Sequence, residues 1–203
     1  MAAPTGSADT AFTVRAAAAD NWRDIEQIMG SNGGSVGCWC MFWRLTNAAT
    51  AGRTADDNRL ALRAVACEGE HAGLVLYDDG VPVGWCSVAP RPDYERVFHT
   101  NGIKPVDKAE IDEVDIWALV CVLVAKGHRG KGLSDRLVAA AVDFARDHGA
   151  SIVEAYPIAD SSAGRKSGLS SGTVGLFERA GFAVHTRPGK EAPGRRIVMR
   201  RSL

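Results

Sequence analysis

Six consecutive residues, Arg129-Gly130-Lys131-Gly132-Leu133-Ser134, carry the most specific chemistry in the chain. They lie between an apolar run, Ile116 to Val124, and a stretch where Leu133, Leu137, Ala140, Ala141 and Phe144 recur at helical spacing. Glycines at such a junction let the backbone approach a ligand closely. The amides and the positive dipole end of the following helix suit a phosphate. The segment therefore predicts an anion cradle, since a turn that serves packing alone does not need two basic residues. Two other phosphate sites fail on spacing. A Walker loop needs Ser or Thr after its Lys and a Gly five positions before it, whereas Gly132 follows Lys131 and position 126 is Lys. A dinucleotide fingerprint needs a small residue three positions after Gly132, where Asp135 stands.

A second group of residues could shape a pocket. Trp39, Phe42 and Trp43, with Trp85, Tyr94 and Trp117, could make an aromatic-walled pocket, the alternative being plain core. Gly33, Gly34 and Gly37 beside them suggest a mobile entry. Cys38-Trp39-Cys40 has no paired partner of metal-ligand spacing, so no metal is expected.

The elements that must position these groups follow from periodicity. Phe12 to Arg15 predicts a strand and Trp22, Ile25, Ile28 and Met29 a helix from about Asp20. A second helix is predicted over about Asp57 to Cys67, with Leu60, Ala61, Ala64 and Val65 as its apolar stripe. Leu74 to Tyr77 and Val81 to Val88 flank Asp78-Asp79-Gly80, a hairpin signal. Ile116 to Val124 predicts a strand buried on both faces, and Gly149 stops the helix that follows the cradle. Ser151 to Tyr156 is a further strand, Asp160 to Gly172 a mobile loop, and Val174 to Ala180 a short helix before two closing strands, Phe182 to His185 and Arg196 to Met199. The order is mixed α/β and excludes simple Rossmann alternation.

Length and composition predict one soluble domain over residues 11–203 behind a flexible tail over residues 1–10. The formal net charge is zero, so nucleic acid is not an expected partner. The basic C-terminus, Arg187, Lys190, Arg195, Arg196, Arg200 and Arg201, is expected as a solvated face. Five cysteines without repeated spacing predict a reduced, cytoplasmic protein, and no run reaches the roughly 18 apolar residues needed to span a membrane.

The cradle resembles the acyl-CoA pyrophosphate loop of the Gcn5-related N-acetyltransferase (GNAT) superfamily, Arg/Gln-x-x-Gly-x-Gly/Ala, here Arg129-x-x-Gly132-x-Ser134. Ser134 departs from the last position but is still small. Leu176-Phe177-Glu178-Arg179-Ala180-Gly181-Phe182 is similar to the family's Leu-Tyr-x-x-x-Gly-Phe signature. The resemblance implies a GNAT-like mixed, mostly antiparallel central sheet flanked by helices, with a strand-loop-helix acyl-CoA site. It also implies an N-acetyltransferase with acetyl-CoA as co-substrate. Val122 and Val124 would then offer backbone groups to the pantetheine, and Arg129, Gly130, Lys131, Gly132, Leu133 and Ser134 would hold the pyrophosphate. Phe177 falls where the family's Tyr protonates the departing thiolate. The expected acceptor is the primary amine of a small molecule. A protein Lys or N-terminus and a non-catalytic acyl-CoA-binding module are the alternatives, and a homodimer is compatible with the sequence.

Proton removal is the larger chemical demand. An alkylamine of pKa about 10.4 is protonated at neutral pH by about 3.4 units, whereas a thiol of pKa about 8.5 leaves with only ~10²–10⁴-fold help from an acid. The Ile116 to Val124 run contains no carboxylate. Glu113, Asp115 and Glu154 are the nearest bases, and Asp115 is the expected one.

Overall fold

The computed structural model describes residues 12–69, 71–105, 107–110, 113–159, 169–186 and 195–203. The expected N-terminal tail and most of the Ser/Gly-rich loop lie outside the described residues. Seven strands pair in the order β1-β2-β3-β4-β5-β7-β6. They are β1 (Phe12–Ala16), β2 (Leu74–Asp78), β3 (Val81–Pro90), β4 (Ile116–Val124), β5 (Ile152–Ala155), β6 (Ala183–Thr186) and β7 (Val198–Ser202). Every pair is antiparallel except β4 with β5. The Asp79-Gly80 turn joins β2 to β3 with both residues at positive φ, 49° and 78°, the twist a two-residue hairpin requires.

Strand β4 separates two cores, which explains its unbroken apolar sequence. On one face Ala118, Val120 and Cys121 join a core built from α1 (Trp22–Met29), α2 (Met41–Arg44), α4 (Ala55–Cys67) and α5 (Glu95–His99). The short α3 (Asn47–Thr50) buries nothing. On the other face Trp117, Leu119, Val122 and Val124 pack on α6 (Leu133–Asp147) and α7 (Val174–Arg179). Among the described residues no helix is long and apolar enough to cross a membrane.

Helix α4 is rotated relative to expectation. Leu62 and Ala66 are buried, Ala61 and Val65 pack at the core's edge, and Leu60 is 49% exposed. An Ala-rich run offers overlapping apolar stripes, and here long-range polar contacts mark the orientation. Arg59 pairs with Glu26 of α1 at 2.9 Å, and Asn58 Nδ2 donates to Gly37 O at 2.9 Å. The basic C-terminus also differs from a solvated face. Arg200 pairs with Glu110 and Glu154, Arg201 Nη1 donates to Ala180 O, and Arg196 Nη1 donates to Tyr156 O. Arg187 and Lys190 lie outside the described residues.

What the sheet does to β4 defines the site. Ser87 faces Cys121 and Val88 faces Leu119, so Val120 is an extra residue, a bulge in the ladder with β3. On its other edge β4 pairs with β5 only from Ile116↔Ile152 to Leu119↔Ala155. The two strands part there, and from Val120 to Val124 that edge of β4 has no strand beside it among the described residues. An unpaired edge presents backbone donors and acceptors that a ligand can use.

Candidate functional site

A cleft of about 540 Å³ runs along the C-terminal part of β4. Val122, Leu123 and Val124 form one wall, and Arg129, Gly130, Gly132, Leu133 and Ser134 form the end where α6 begins. Gly34 and Ser35, from the α1–α2 connection, and Ser170, Gly172, Thr173 and Leu176 close the remaining sides. The sequence-predicted donor residues are thus gathered with two exceptions. Lys131 is exposed and off the lining, and the Phe177 ring is also off the lining but fully buried.

The cradle's local geometry explains its composition. Gly130 and Gly132 have φ of 80° and 73°, the left-handed region that side chains disfavour. A Cβ added at either would meet no protein atom within 4 Å, so packing alone does not call for glycine there. No side chain caps α6, whose first amides need acceptors from outside the helix. Arg129 is tethered to the strand end, its Nε donating to Val124 O at 3.1 Å. Gly132→Val should therefore cost roughly 1–2 kcal/mol of backbone strain and weaken acetyl-CoA binding by roughly tenfold or more. Calorimetric affinity that stays unchanged would place the pyrophosphate elsewhere.

Several lining residues carried no recognisable signal in the sequence. His128 holds its Nδ1 buried without a partner among the described residues. Among the described residues Asp135 is the only carboxylate on the lining, and Arg179 of α7 grips it at 2.9 Å. Phe177 packs edge-on against Phe182 at 5.3 Å, and a Cβ on Gly172 would come within 2.6 Å of its ring. It anchors α7 to the core.

The expected base is not brought to the cleft. Asp115 precedes β4 and accepts a hydrogen bond from Ser151 Oγ. Five steps along the strand, about 17 Å, separate it from Val120, where the strands part. Glu113 lies further back and is exposed. Glu154 is buried on the α1–α5 face, where it accepts from Arg91 Nη1 at 3.1 Å, Arg200 Nε at 2.8 Å and the Tyr156 hydroxyl at 2.5 Å. Burial, with Glu154 beside it, holds the Tyr156 phenol well above its usual pKa.

The aromatic residues divide. Trp39 stacks on Trp22 at 6.1 Å, and Trp85 is fully buried with its Nε1 3.2 Å from Cys40 Sγ. Trp43 stacks on Tyr156 at 5.8 Å, and Phe42, 43% exposed, meets Trp43 edge-on. Tyr94 is buried, its hydroxyl 2.8 Å from Ser87 Oγ. Trp117 lies on the opposite face with His71, Phe144 and His148, so the sheet itself separates it from the other tryptophans. Alternation along β4 put it there. At the glycines of the expected mobile entry the chain approaches its neighbours closely. A Cβ on Gly33 would lie 2.4 Å from Trp39 Nε1, and one on Gly37 would lie 2.7 Å from Ala55 Cβ. Among the described residues no group of three or more His, Cys, Asp or Glu could hold a metal ion.

A sheet that splits beside its central strand, feeding a glycine-rich helix start with a cleft along the free edge, is the strand-loop-helix arrangement that the resemblance to the acyl-CoA site implied. The chain belongs to the acetyltransferase (GNAT) family, whose model matches residues 39–182. Solved structures agree in fold. YncA of Salmonella typhimurium, solved with its cofactor acetyl-CoA, is 18% identical over 95% of this chain and 94% of its own, with a TM-score of 0.54. Aminoglycoside acetyltransferase AAC(6')-Ib, in complex with coenzyme A, is 17% identical over 95% of each chain, with a TM-score of 0.56. Ribosomal-protein-alanine N-acetyltransferase of Brucella melitensis is 18% identical over 94% of this chain and 99% of its own, with a TM-score of 0.53. No curated protein matches the sequence.

Proposed function

We propose that this acetyltransferase moves the acetyl group of acetyl-CoA to the primary amine of a small molecule by direct attack on the thioester. The observation that carries the proposal is the free edge of β4 from Val120 to Val124, leading into the uncapped start of α6. Pantetheine amides would pair with Val122 and Val124, and the pyrophosphate would meet the amides and glycines from Arg129 to Ser134. A backbone amide of the bulged strand would polarise the thioester carbonyl. Orientation would supply most of the rate, since it can reach ~7–11 kcal/mol.

The acceptor would approach from the α1–α5 face, where Trp43 and Tyr156 stack at the point of divergence. A floor of packed rings suits a compact amine better than an extended peptide. The amine nitrogen would bond to the acetyl carbon as the C–S bond breaks, and the thiolate, with Phe177 in place of a phenol, would take its proton from water. The amine proton would also leave to water, because the lining carboxylate, Asp135, is held by Arg179. This chemistry calls for no metal and no nucleic acid, and a single catalytic domain in the cytoplasm would suffice.

Acetyl-CoA at 100 times its dissociation constant should stabilise the protein by ~2.7 kcal/mol, or about 5–11 °C in Tm for a chain of this size. Differential scanning fluorimetry checks this, and release of free thiol across an amine library tests the transfer. Folded protein that shows no shift with saturating acetyl-CoA would sink the proposal.

A further inference from the structure

The buried guanidiniums on the α1–α5 face have clear partners, with one exception. Arg91 and Arg200 share Glu154 and Glu110. Arg44 lies 3.5 Å from Asp93 and over the Tyr94 ring. Arg96 donates to Phe42 O, Leu45 O, Thr46 O, Asn47 Oδ1 and Thr50 Oγ1, which ties α5 to α2 and α3. Arg196 differs. Its Nη1 donates to Tyr156 O at 2.8 Å and its guanidinium lies 4.9 Å from the Trp43 ring centre, but no carboxylate among the described residues pairs with it. Burial holds its pKa below the usual arginine value. A charge so placed, with a single carbonyl and an aromatic face for company, is poorly compensated.

Its position gives that imbalance a use. Tyr156 follows the last β4–β5 pair, Leu119↔Ala155, and Arg196 bridges Ile158 two residues further on. Trp43 and Tyr156 both belong to the α1–α5 core. The guanidinium therefore stands where the strands part, on the side from which an acceptor would reach a thioester carried by β4. Nε and Nη2 make no hydrogen bond within the described residues. Those two donors match the two oxygens of a carboxylate.

We propose that Arg196 binds the carboxylate of the acceptor, and that the acceptor is an amino acid. The proposal rests on the acetyl-transfer reading above. A carboxylate seated on Arg196 leaves the α-amine only two bonds from the bound group, directed along the gap between the strands. The nitrogen lone pair then bonds to the acetyl carbon. The C–S electrons leave with CoA, one proton passes from nitrogen to water, and an N-acetylamino acid results.

The test compares the L-amino acids with their carboxamides, which keep the amine and lose the anion. The wild-type protein should favour at least one amino acid over its carboxamide by roughly 10- to 100-fold in kcat/KM. Arg196→Gln should raise the amino acid's KM by a similar factor, leave the carboxamide nearly unchanged and leave acetyl-CoA affinity intact, which also reports a folded protein. Arg196→Lys, charged but without the fork, should fall between. Calorimetry of N-acetylamino acids with CoA-saturated protein reads the subsite without turnover. Binding lost in Arg196→Gln with no transfer by any amine would support the subsite and overturn the acetyl-transfer reading. Transfer to carboxamides as fast as to amino acids, equal loss for both in Arg196→Gln, or no amino acid or product bound at all, would overturn the Arg196 assignment.

Discussion

Glu154→Ala should destabilise the protein by ~3–5 kcal/mol, because it strips the shared carboxylate from one fully buried and one largely covered guanidinium. Arg91 is 0% exposed and Glu154 2%, and Arg200 is largely covered beside them. The four charges balance, two arginines against Glu154 and Glu110, and Tyr156 donates to the remaining Glu154 oxygen. The cluster ties β5 to β7 and to the end of β3 at the level where β5 leaves β4. It therefore holds one lip of the gap in place. Glu110 is kept below the usual carboxylate range, chiefly by its hydrogen bond to Arg200. A lowered folded-state pKa contributes stability above the ordinary Glu value and loses it as pH falls through the folded value, so this corner should weaken in acid. Urea midpoints measure the Glu154→Ala loss, and a change below about 1 kcal/mol would mean water already screens the cluster. Normal stability with abolished turnover would instead make Glu154 a base.

The parts of the fold that were legible in the sequence share one physical property, a local pattern that needs no distant partner to be read. Strand β4 is apolar because both its faces are buried, and it begins and ends where the hydrophobic run does. The β2–β3 turn is written in Asp79-Gly80, and α6 in its periodic stripe between Gly132 and Gly149. The bulge at Val120 left no such mark, since any β-branched residue would fit that run. Helix α5 was hidden for a related reason. Glu95-Arg96-Val97-Phe98-His99 is one short turn held by Arg96 reaching to α2 and α3, a long-range cause. The rotation of α4 was likewise set by Arg59 and Asn58 against residues more than twenty positions away.

The candidate site divides in the same way. Val122, Val124 and the residues from Arg129 to Ser134 are consecutive or nearly so, and all but Lys131 line one cleft. Groups that chemistry alone suggested scattered, because charge or aromaticity in a sequence does not say which way a side chain points. Asp115 has the right type at the wrong end of its strand, and Trp117 has the right size on the wrong face. Arg196 was visible only as one of several C-terminal basic residues. Its lack of a carboxylate partner among the described residues emerges only when Arg200, four positions on, is seen to take Glu154 and Glu110.

Trp39 decides whether the aromatic segment after α1 belongs to the acceptor site or to the core, and Trp39→Ala should act as a core truncation costing ~3–5 kcal/mol. The ring is 6% exposed, stacks on Trp22 and covers Gly33 so closely that a Cβ there would overlap its Nε1. Trp39 also sits at φ 47°, with Val36 at 51° and Cys40 at 58°, so the ring helps hold a left-handed backbone that side chains resist. That same connection carries Gly34 and Ser35 into the cleft. Losing the ring should therefore loosen the donor site with the fold, raising the dissociation constant of acetyl-CoA together with the acceptor's KM. A wall of the acceptor pocket would behave otherwise. Its removal would raise the acceptor's KM alone, with urea midpoint and acetyl-CoA affinity close to wild type. Measuring the midpoint and both constants on one preparation separates the two, and a selective acceptor defect in a protein of normal stability would return Trp39 to the site.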